Sequence, residues 1–487
     1  MICLHNFSKR RLIILGVILL ITLEGTTQGN TAKRFSRKIS IKELTKHLTV
    51  LSHDSLEGRE TGTVGQKKAA KYIASQFLGF NMKAASKDMR EASSFFQAFD
   101  LTQENWGELK LSVNETPLEY GDDFVYFSIK ATKPGQRAEV VYYQHPDSLT
   151  DQAKGKIIGI GKSKYINEFL KKGKQLGVGG YIIIFEQPAQ YESIKVQSRR
   201  YVNNRLKLKT TESHEKEGEL IFVLNPDLTK SLFGNPNPSH GDKGFIEFTA
   251  QKDHKVIQSE NVLGFIPGAV YPDEYVIVTS HYDHIGIVDG QINNGADDDG
   301  SGTTALLSIA RAFSIANSKG FKPKRSLVFM TVSGEEKGLL GSKYYTDMAP
   351  VFPLGQTIAN LNIDMIGRVD DTHGENENYI YLIGSDKLST QLHELSENVN
   401  RKSLKLELDY TYNAEDDPNR FYYRSDHYNF AKNNIPVIFY FNGTHADYHK
   451  PTDTIEKINF KVLKKRSRLI FLTAWEIANR DQKLKLD

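Results

Sequence analysis

From Asn261 onward the chain repeats one pattern: a short aliphatic run, a polar turn, then a helical stretch. The runs are NVLGFIPG, YVIVTSHYD, SLVFMTVSGEE, IANLNIDMIG, YIYLIG and IPVIFYFNG. Helices of about ten to fifteen residues are expected between them, at Ser301 to Asn317, from Gly338 and near Leu388 to Val399, with another at Ile458 to Asn479. Fully apolar strands alternating with helices predict an α/β fold: a mainly parallel mixed sheet sandwiched by helices. Ligands of such sheets bind beyond the carboxyl ends of the strands. His281, Glu335, Glu336, Asp364 and the FNGTHADYH turn each stand at or just after the end of an aliphatic run.

The preceding sequence divides in two. Ile41, Leu44, Leu48 and Leu51 recur at helical spacing, and Gln66 to Phe77 forms a second amphipathic segment. Between them LEGRETGTVGQ reads as a glycine-rich loop. It is not a phosphate loop, because it lacks the Lys-Ser/Thr ending and follows a helix rather than a strand. From about Tyr120 to Ala250 short strands (AEVVYY, GKIIGIG, GYIIIFE, GELIFVL, GFIEFTA) alternate with polar, basic loops and carry no His/Asp/Glu cluster. This predicts an inserted β-rich domain at 119–252, between segments at 32–118 and 253–487 that form the α/β part of the chain. The basic stretch from Gln187 to His214 reads as a long surface loop, or alternatively as a lid.

The first 25 residues read as a secretory signal, with Lys9, Arg10 and Arg11 before an apolar run from Leu12 to Leu23. An uncleaved anchor is the alternative; either places the chain in the periplasm or outside the cell. The single cysteine, Cys3, lies inside this segment. The mature chain then has no thiol for a disulfide or a metal. A net charge of +4 over 487 residues gives no reason to expect nucleic acid or an anionic membrane as partner.

The acidic turn NNGADDDGSG, between YVIVTS and TTALLSIARAF, places Asp297, Asp298 and Asp299 side by side. Alone it could be a solvated turn. With His281, Asp283, Glu335, Glu336, Asp364 and His449 at the same sheet edge, it becomes part of an imidazole and carboxylate set that suits two divalent ions close together. Ser425, Asp426 and His427 lie too close in sequence to reach one another in triad geometry, and no G-x-S-x-G elbow is present. Asp426 and His427 are expected to shape the substrate pocket instead. Tyr422 and Tyr423 just before them are candidates to donate to a developing oxyanion.

SHYDH, NNGADDDGSG, TVSGEEKGLLGS, LNIDMIG, YYRSDHYNF and DYHKPTDT occur in this order. Together they resemble the signature set of the M28 family of metallopeptidases, the co-catalytic zinc aminopeptidases. The resemblance covers about Ile41 to Leu118 and Val256 to Asn479, and residues 120–250 look like the protease-associated domain inserted in larger members. It implies two zinc ions per chain and a peptide substrate with a free N-terminus. Asp298 would bridge the ions, with His281 and Asp364 on one and Glu336 and His449 on the other. Glu335 would be the general base, and Asp283 would orient His281. Asp299 would frame the bridge, through a cis peptide after Asp298. A single-zinc glutaminyl-cyclase-type transferase, a carboxypeptidase or dipeptidase of the same family, and a non-enzymatic binding protein on the same scaffold are the alternatives.

Overall fold

The computed structural model describes residues 29–85, 94–202, 205–209 and 219–487; the expected signal and Cys3 lie outside them. The chain divides into two units, one of Met1–Phe99 with Gln258–Asp487 and one of Asp100–Ile257.

In the first unit the amino-terminal helices are α1 (Ile41–Leu51) and α2 (Val64–Gly79). Each starts at a side-chain cap: Ser40 Oγ accepts from Glu43 N, and Thr63 Oγ1 from Gln66 N. The sheet strands are β1 (Tyr271–His281), β2 (Arg325–Val332), β3 (Thr357–Ile363), β4 (Tyr379–Ile383), β5 (Glu407–Asp409) and β6 (Val437–Phe441). Their spatial order is β5-β4-β6-β3-β1-β2, continued by Val262–Ile266 antiparallel to β2. The four strands β6, β3, β1 and β2 run parallel, with Leu361 opposite Ile438 and Val278, and His281 opposite Val332. Strand β4 runs antiparallel to β6. The aliphatic alternation serves two faces. Val276 and Val278 pack with α1, α2, α3 (Gly302–Ser318) and α5 (Phe460–Asn479), while Ile277, Val328 and Met330 pack with Tyr345 and Phe430. The helix α4 (Thr390–Lys402) adds Leu392 to the first layer. The expected mainly parallel sheet between helical layers is therefore present.

One expected helix is much reduced. After Gly338 only Leu340–Lys343 is α-helical, and Tyr344–Met348 continues as a wider turn. Asn261 Nδ2 donates to the Gly341 carbonyl, and a Cβ on Gly341 would stand 2.3 Å from Asn261 Oδ1. Tertiary contact with the strand at Asn261 sets this segment more than helical periodicity does.

The second unit carries its own core. Gln136–Tyr143, Ile157–Ile160, Gly180–Ile184 and Leu220–Leu224 are neighbouring parallel strands, flanked by antiparallel Lys243–Phe248 and Phe124–Tyr126. It is wider than 119–252 because Phe96–Val113 is one long strand whose Leu101 and Leu111 pair with Leu208 and Leu118. Within the stretch expected as a loop from Gln187 to His214, Pro188–Val202 is helical and Arg205–Leu208 is a strand, while residues 203–204 and 210–214 lie outside the described residues. Its polar, basic composition hid the anchor Tyr191, which is buried beside Val125, Ile183 and Val223. No helix of the described residues is long and apolar enough to cross a membrane.

The helix α3 is buried along most of its length, so its packing supports the site-bearing edge. Phe313, 1% exposed, lies 4.3 Å from the Phe471 ring and 5.7 Å from Trp475, ring centre to ring centre. Phe313→Ala is expected to cost about 3–5 kcal/mol in urea unfolding; a loss under about 1 kcal/mol would show that α3 does not hold this layer.

Candidate metal centre

The parallel strands deliver their last residues to one edge. His281 closes β1, Glu335 and Glu336 follow β2 by a glycine turn, Asp364 follows β3, and the loop after β6 brings in His449. Asp298 comes from the turn Ala296–Ser301 that leads into α3. His281 Nε2 lies 3.3 Å from Asp298 Oδ1 and 3.5 Å from Asp364 Oδ1. His449 Nε2 lies 3.0 Å from Asp298 Oδ2 and 3.2 Å from Glu336 Oε2. The two oxygens of one aspartate thus face two separate imidazole and carboxylate pairs. Glu335 stands with His281 and Asp364, its carboxylate within 4.8 Å of both.

These contacts fit zinc better than they fit ion pairs. His281 Nε2 and Asp298 Oδ2 are buried and have no hydrogen-bond partner, so close approach is not matched by hydrogen-bond geometry. Ligands about 2 Å from a tetrahedral ion stand roughly 3.3 Å from each other, which the 3.0–3.5 Å spacings match. The donors are nitrogen and oxygen alone, the set expected of a hydrolytic zinc site.

The flanking aspartates are held differently. Asp299 Oδ1 accepts from Gly302 N (2.9 Å) and Met365 N (3.0 Å), and Oδ2 from His281 N (3.2 Å). It caps α3 and ties together the strand ends that carry His281 and Asp364. Asp297 accepts from Gly367 N (2.7 Å) and Asn442 Nδ2 (3.1 Å), and lies 3.1 Å from His445 Nε2. The peptide between Asp298 and Asp299 is cis, as the sequence resemblance implied. Ser425 Oγ donates to Asp364 Oδ2 at 2.6 Å.

Electrostatics separate the carboxylates further. Burial alone would raise Asp298, but His281, His449 and His284 hold it well below the ordinary range. Burial and Asp298 likewise raise Glu336, yet His284 and His449 bring it down to about 2. Glu335 moves the other way. Burial lifts it well above the usual range, and Glu336, Asp364 and Asp426 add to the rise against His281.

Several expected roles are redistributed. The nearest acceptor to His281 Nδ1 is the Asp283 carbonyl at 3.1 Å, whereas its carboxylate lies 3.8 Å away. That carboxylate accepts instead from Thr61 Oγ1 (2.7 Å) and Glu335 N (3.3 Å). Tyr422 packs on Tyr423 and His427, and the carboxylate whose charge reaches its hydroxyl is Asp386, outside the site. Tyr423 is exposed. His427 is a buried ring stacked on Phe439, its pKa driven down to about 3 by burial, so it supports the sheet rather than lining a pocket. Asp426 is buried and accepts from Ser342 Oγ; burial pushes it up to about 7, with Asp283 and Asp364 adding to the rise against His281.

Four residues at the site went unread in the sequence. His284 Nδ1 lies 2.9 Å from Glu336 Oε1. The Asp453 carboxylate accepts from the amides of Asp297 and Asp298 at 3.0–3.2 Å. Arg59 donates to the carbonyls of Tyr282, Asn294 and Gly295 at 2.7–2.9 Å, and to that of Leu51. Tyr448 stacks on His449 at 3.9 Å, and its hydroxyl is raised by burial and then by Asp298, Glu336, Glu335 and Asp364. Adjacency to a ligand histidine was the available signal for Tyr448, and the SHYDH string for His284.

Residues 261–474 match the family model described as Peptidase family M28. The Zea mays protein named Probable glutamate carboxypeptidase VP8 is 36% identical over 119 residues, 24% of this chain and 16% of that protein. Aminopeptidase YwaD of Bacillus subtilis (strain 168) is 24% identical over 441 residues, 89% of this chain and 84% of that protein. The solved structure of BSAP, a zinc aminopeptidase from Bacillus subtilis, shares the fold with a TM-score of 0.55 at 21% identity, covering 91% of this chain and 97% of that one. Residues 261–474 are thus similar to the peptidases of family M28, and the chain spans only a small part of the length of the first of these relatives.

The charges predict how metal loading responds to pH. Burial lowers His281 and His449, but Glu335, Asp364 and Asp298 raise the first well above 6.5, and Asp298 and Glu336 raise the second to about 10. Both rings therefore hold protons at neutral pH when metal is stripped, and zinc needs them neutral. Zinc titration by calorimetry near pH 7.5, in buffers of different ionisation enthalpy, is expected to show release of about two protons per chain. The release falls as pH rises through about 10 for His449. Heats independent of buffer would overturn this charge assignment.

Proposed function

We propose that this chain is an exported di-zinc aminopeptidase that hydrolyses the first peptide bond of substrates with a free N-terminus. The observation that carries the reading is Asp298, whose two oxygens face two distinct ligand sets. His281, Asp298 and Asp364 would hold one ion, and Asp298, Glu336 and His449 the other. When bound, the ions supply Lewis acidity, polarising the scissile carbonyl and lowering the pKa of water. Export rests on the signal-like sequence of residues 1–25. The unit Asp100–Ile257 is read as the protease-associated-like insertion.

The chain's own groups then manage protons and charge. Glu335 is positioned by its amide on the Asp283 carboxylate and stands beside His281 and Asp364. Its raised pKa suits a base that takes a proton from the attacking water and delivers it to the leaving amine nitrogen. Tyr448 keeps its proton under the surrounding negative charge, so its hydroxyl remains a donor for the developing oxyanion. His449 is 37% exposed, whereas His281 is 1% exposed, so substrate reaches the site from the His449 side.

The match to a relative named as a carboxypeptidase makes polarity of attack the decisive measurement. Unblocked peptides are expected to lose N-terminal residues in a chelator-sensitive reaction, and N-acetylated counterparts to resist. Release of C-terminal residues from the acetylated series would replace this reading with a carboxypeptidase. Glu335→Gln is expected to lower kcat about 10²–10⁴-fold with zinc content unchanged; unaltered turnover would remove Glu335 from the proton path.

A further inference from the structure

Two of the candidate ligand carboxylates, Asp364 and Glu336, are each met by a protein donor on one oxygen only. Ser425 Oγ takes Oδ2 of Asp364 at 2.6 Å, leaving Oδ1 toward His281. His284 stands in the same relation to Glu336. Its Nδ1 is 2.9 Å from Oε1, while the other oxygen, Oε2, faces His449 at 3.2 Å. His284 is fully buried, yet its Nε2 has no partner, so nothing on that side of the ring competes with the Glu336 contact. The ring is seated against Gly295, where φ is +52° and a Cβ would approach its Cγ and Cδ2 to 2.5 Å. A glycine there leaves the space that the imidazole fills.

A competing possibility is that His284 is itself a metal ligand, since its nitrogen groups with Asp298 and Glu336. The spacings argue otherwise. His449 Nε2 is 3.0 Å from Asp298 Oδ2 and 3.2 Å from Glu336 Oε2, the separations of co-ligands. His284 Nδ1 is 3.7 Å from Asp298 Oδ2 and holds the opposite oxygen of Glu336 at hydrogen-bond distance.

We propose that His284 is a positioning residue that locks Glu336 into one-oxygen binding of the second ion by donating Nδ1–H to Oε1. This rests on the di-zinc reading above. Its consequence is selective: His284 tunes the second ion, and the first, held by His281, Asp298 and Asp364, is indifferent to it. A carboxylate bound through one oxygen also leaves a coordination position for substrate that two-oxygen binding would fill.

The test is zinc titration of the full-length chain against a competing chelator, with Co(II) substitution read by visible absorption. Wild type is expected to bind two zinc ions. His284→Ala should weaken the second about 10–100-fold and leave the first unchanged. His284→Asn, whose amide N–H can stand where the imidazole Nδ1–H does, should recover most of the loss. The Co(II) bands of the second site should keep a His284-independent ligand field in His284→Asn. Equal weakening of both ions, no weakening of either, or failure of His284→Asn to recover any affinity would overturn the inference while leaving two-metal binding intact. Loss of the second-site Co(II) bands in both variants would make His284 a ligand and overturn it too. A wild type that binds a single zinc would overturn the di-zinc reading and this inference with it. If His284→Ala does not fold, His284→Asn against wild type decides: second-ion affinity close to wild type supports the donor role, and a loss as large as 10–100-fold opposes it.

Discussion

Three consecutive buried aspartates are the constraint around which the first unit is arranged. Asp297, Asp298 and Asp299 are at most 3% exposed. Buried like charges this close are tolerated only when each finds its own compensation. Amides and amide-like donors go to the outer two: three backbone N–H groups to Asp299, and Gly367 N with Asn442 to Asp297. Asp298 receives none of these on its carboxylate, which is met by imidazoles alone. A carboxylate saturated by amides has little left to offer a cation. The loop therefore sorts three identical side chains into two structural anchors and one carboxylate left open to a cation.

Two buried arginines complete the compensation without competing for it. Arg59 and Arg466 are 1% and 0% exposed, and both donate mainly to backbone carbonyls. Arg59 holds the carbonyls of Tyr282, Asn294 and Gly295, beside His281 and the acidic turn. Arg466 holds those of Ile366, Arg368 and Tyr379, beyond Asp364. Carbonyls accept from these guanidinium groups but do not cancel their charge. Each guanidinium thus acts on the acidic turn through space: Asp298, Asp283 and Asp299 interact with Arg59, and Asp297 with Arg466. A direct ion pair would have drawn a carboxylate away from the site.

The sheet and the polar strand ends were legible because both are local patterns. Aliphatic runs such as IANLNI announce a strand buried on both faces, and the first polar residue after each run falls at the sheet edge. What was not legible depends on distant partners. His284 lies three residues after His281, but its role is defined by Glu336, 52 positions away. Asp453 sits inside the DYHKPTDT string, yet its carboxylate serves amides 155 and 156 positions earlier. Tyr422 and Tyr423 were expected at the site from their proximity to Ser425-Asp426-His427. In space that segment contributes Ser425 to a ligand, while its tyrosines pack on each other. Tyr448 escaped notice because the carboxylates whose charge reaches its hydroxyl, Asp298, Glu336, Glu335 and Asp364, are distant in sequence, which no periodicity reveals. Composition misled at Pro188–Val202, where a mostly polar sequence still forms a helix around the buried Tyr191.

The polar interior of the sheet explains why the ligands can be so sparingly held. Asn360 Nδ2 donates to Thr279 Oγ1, Thr279 Oγ1 to Asn362 Oδ1, Asn362 Nδ2 to Ser425 Oγ, and Ser425 Oγ to Asp364 Oδ2, at 2.6–2.9 Å. This relay crosses β1 and β3 and ends on a single oxygen of one ligand. A buried chain of hydrogen bonds is directional, so it fixes the Asp364 carboxylate in rotation without occupying Oδ1. The same economy appears at Glu336, where one oxygen is taken by His284. Asp298 alone keeps both oxygens clear of hydroxyl and amide donors, its backbone instead being pinned by Asp453 through N–H. Rigidity is supplied from the main chain where two open oxygens are needed, and from the side chain where one suffices. That division is what lets Asp298 face two imidazole and carboxylate sets while Asp364 and Glu336 each face one.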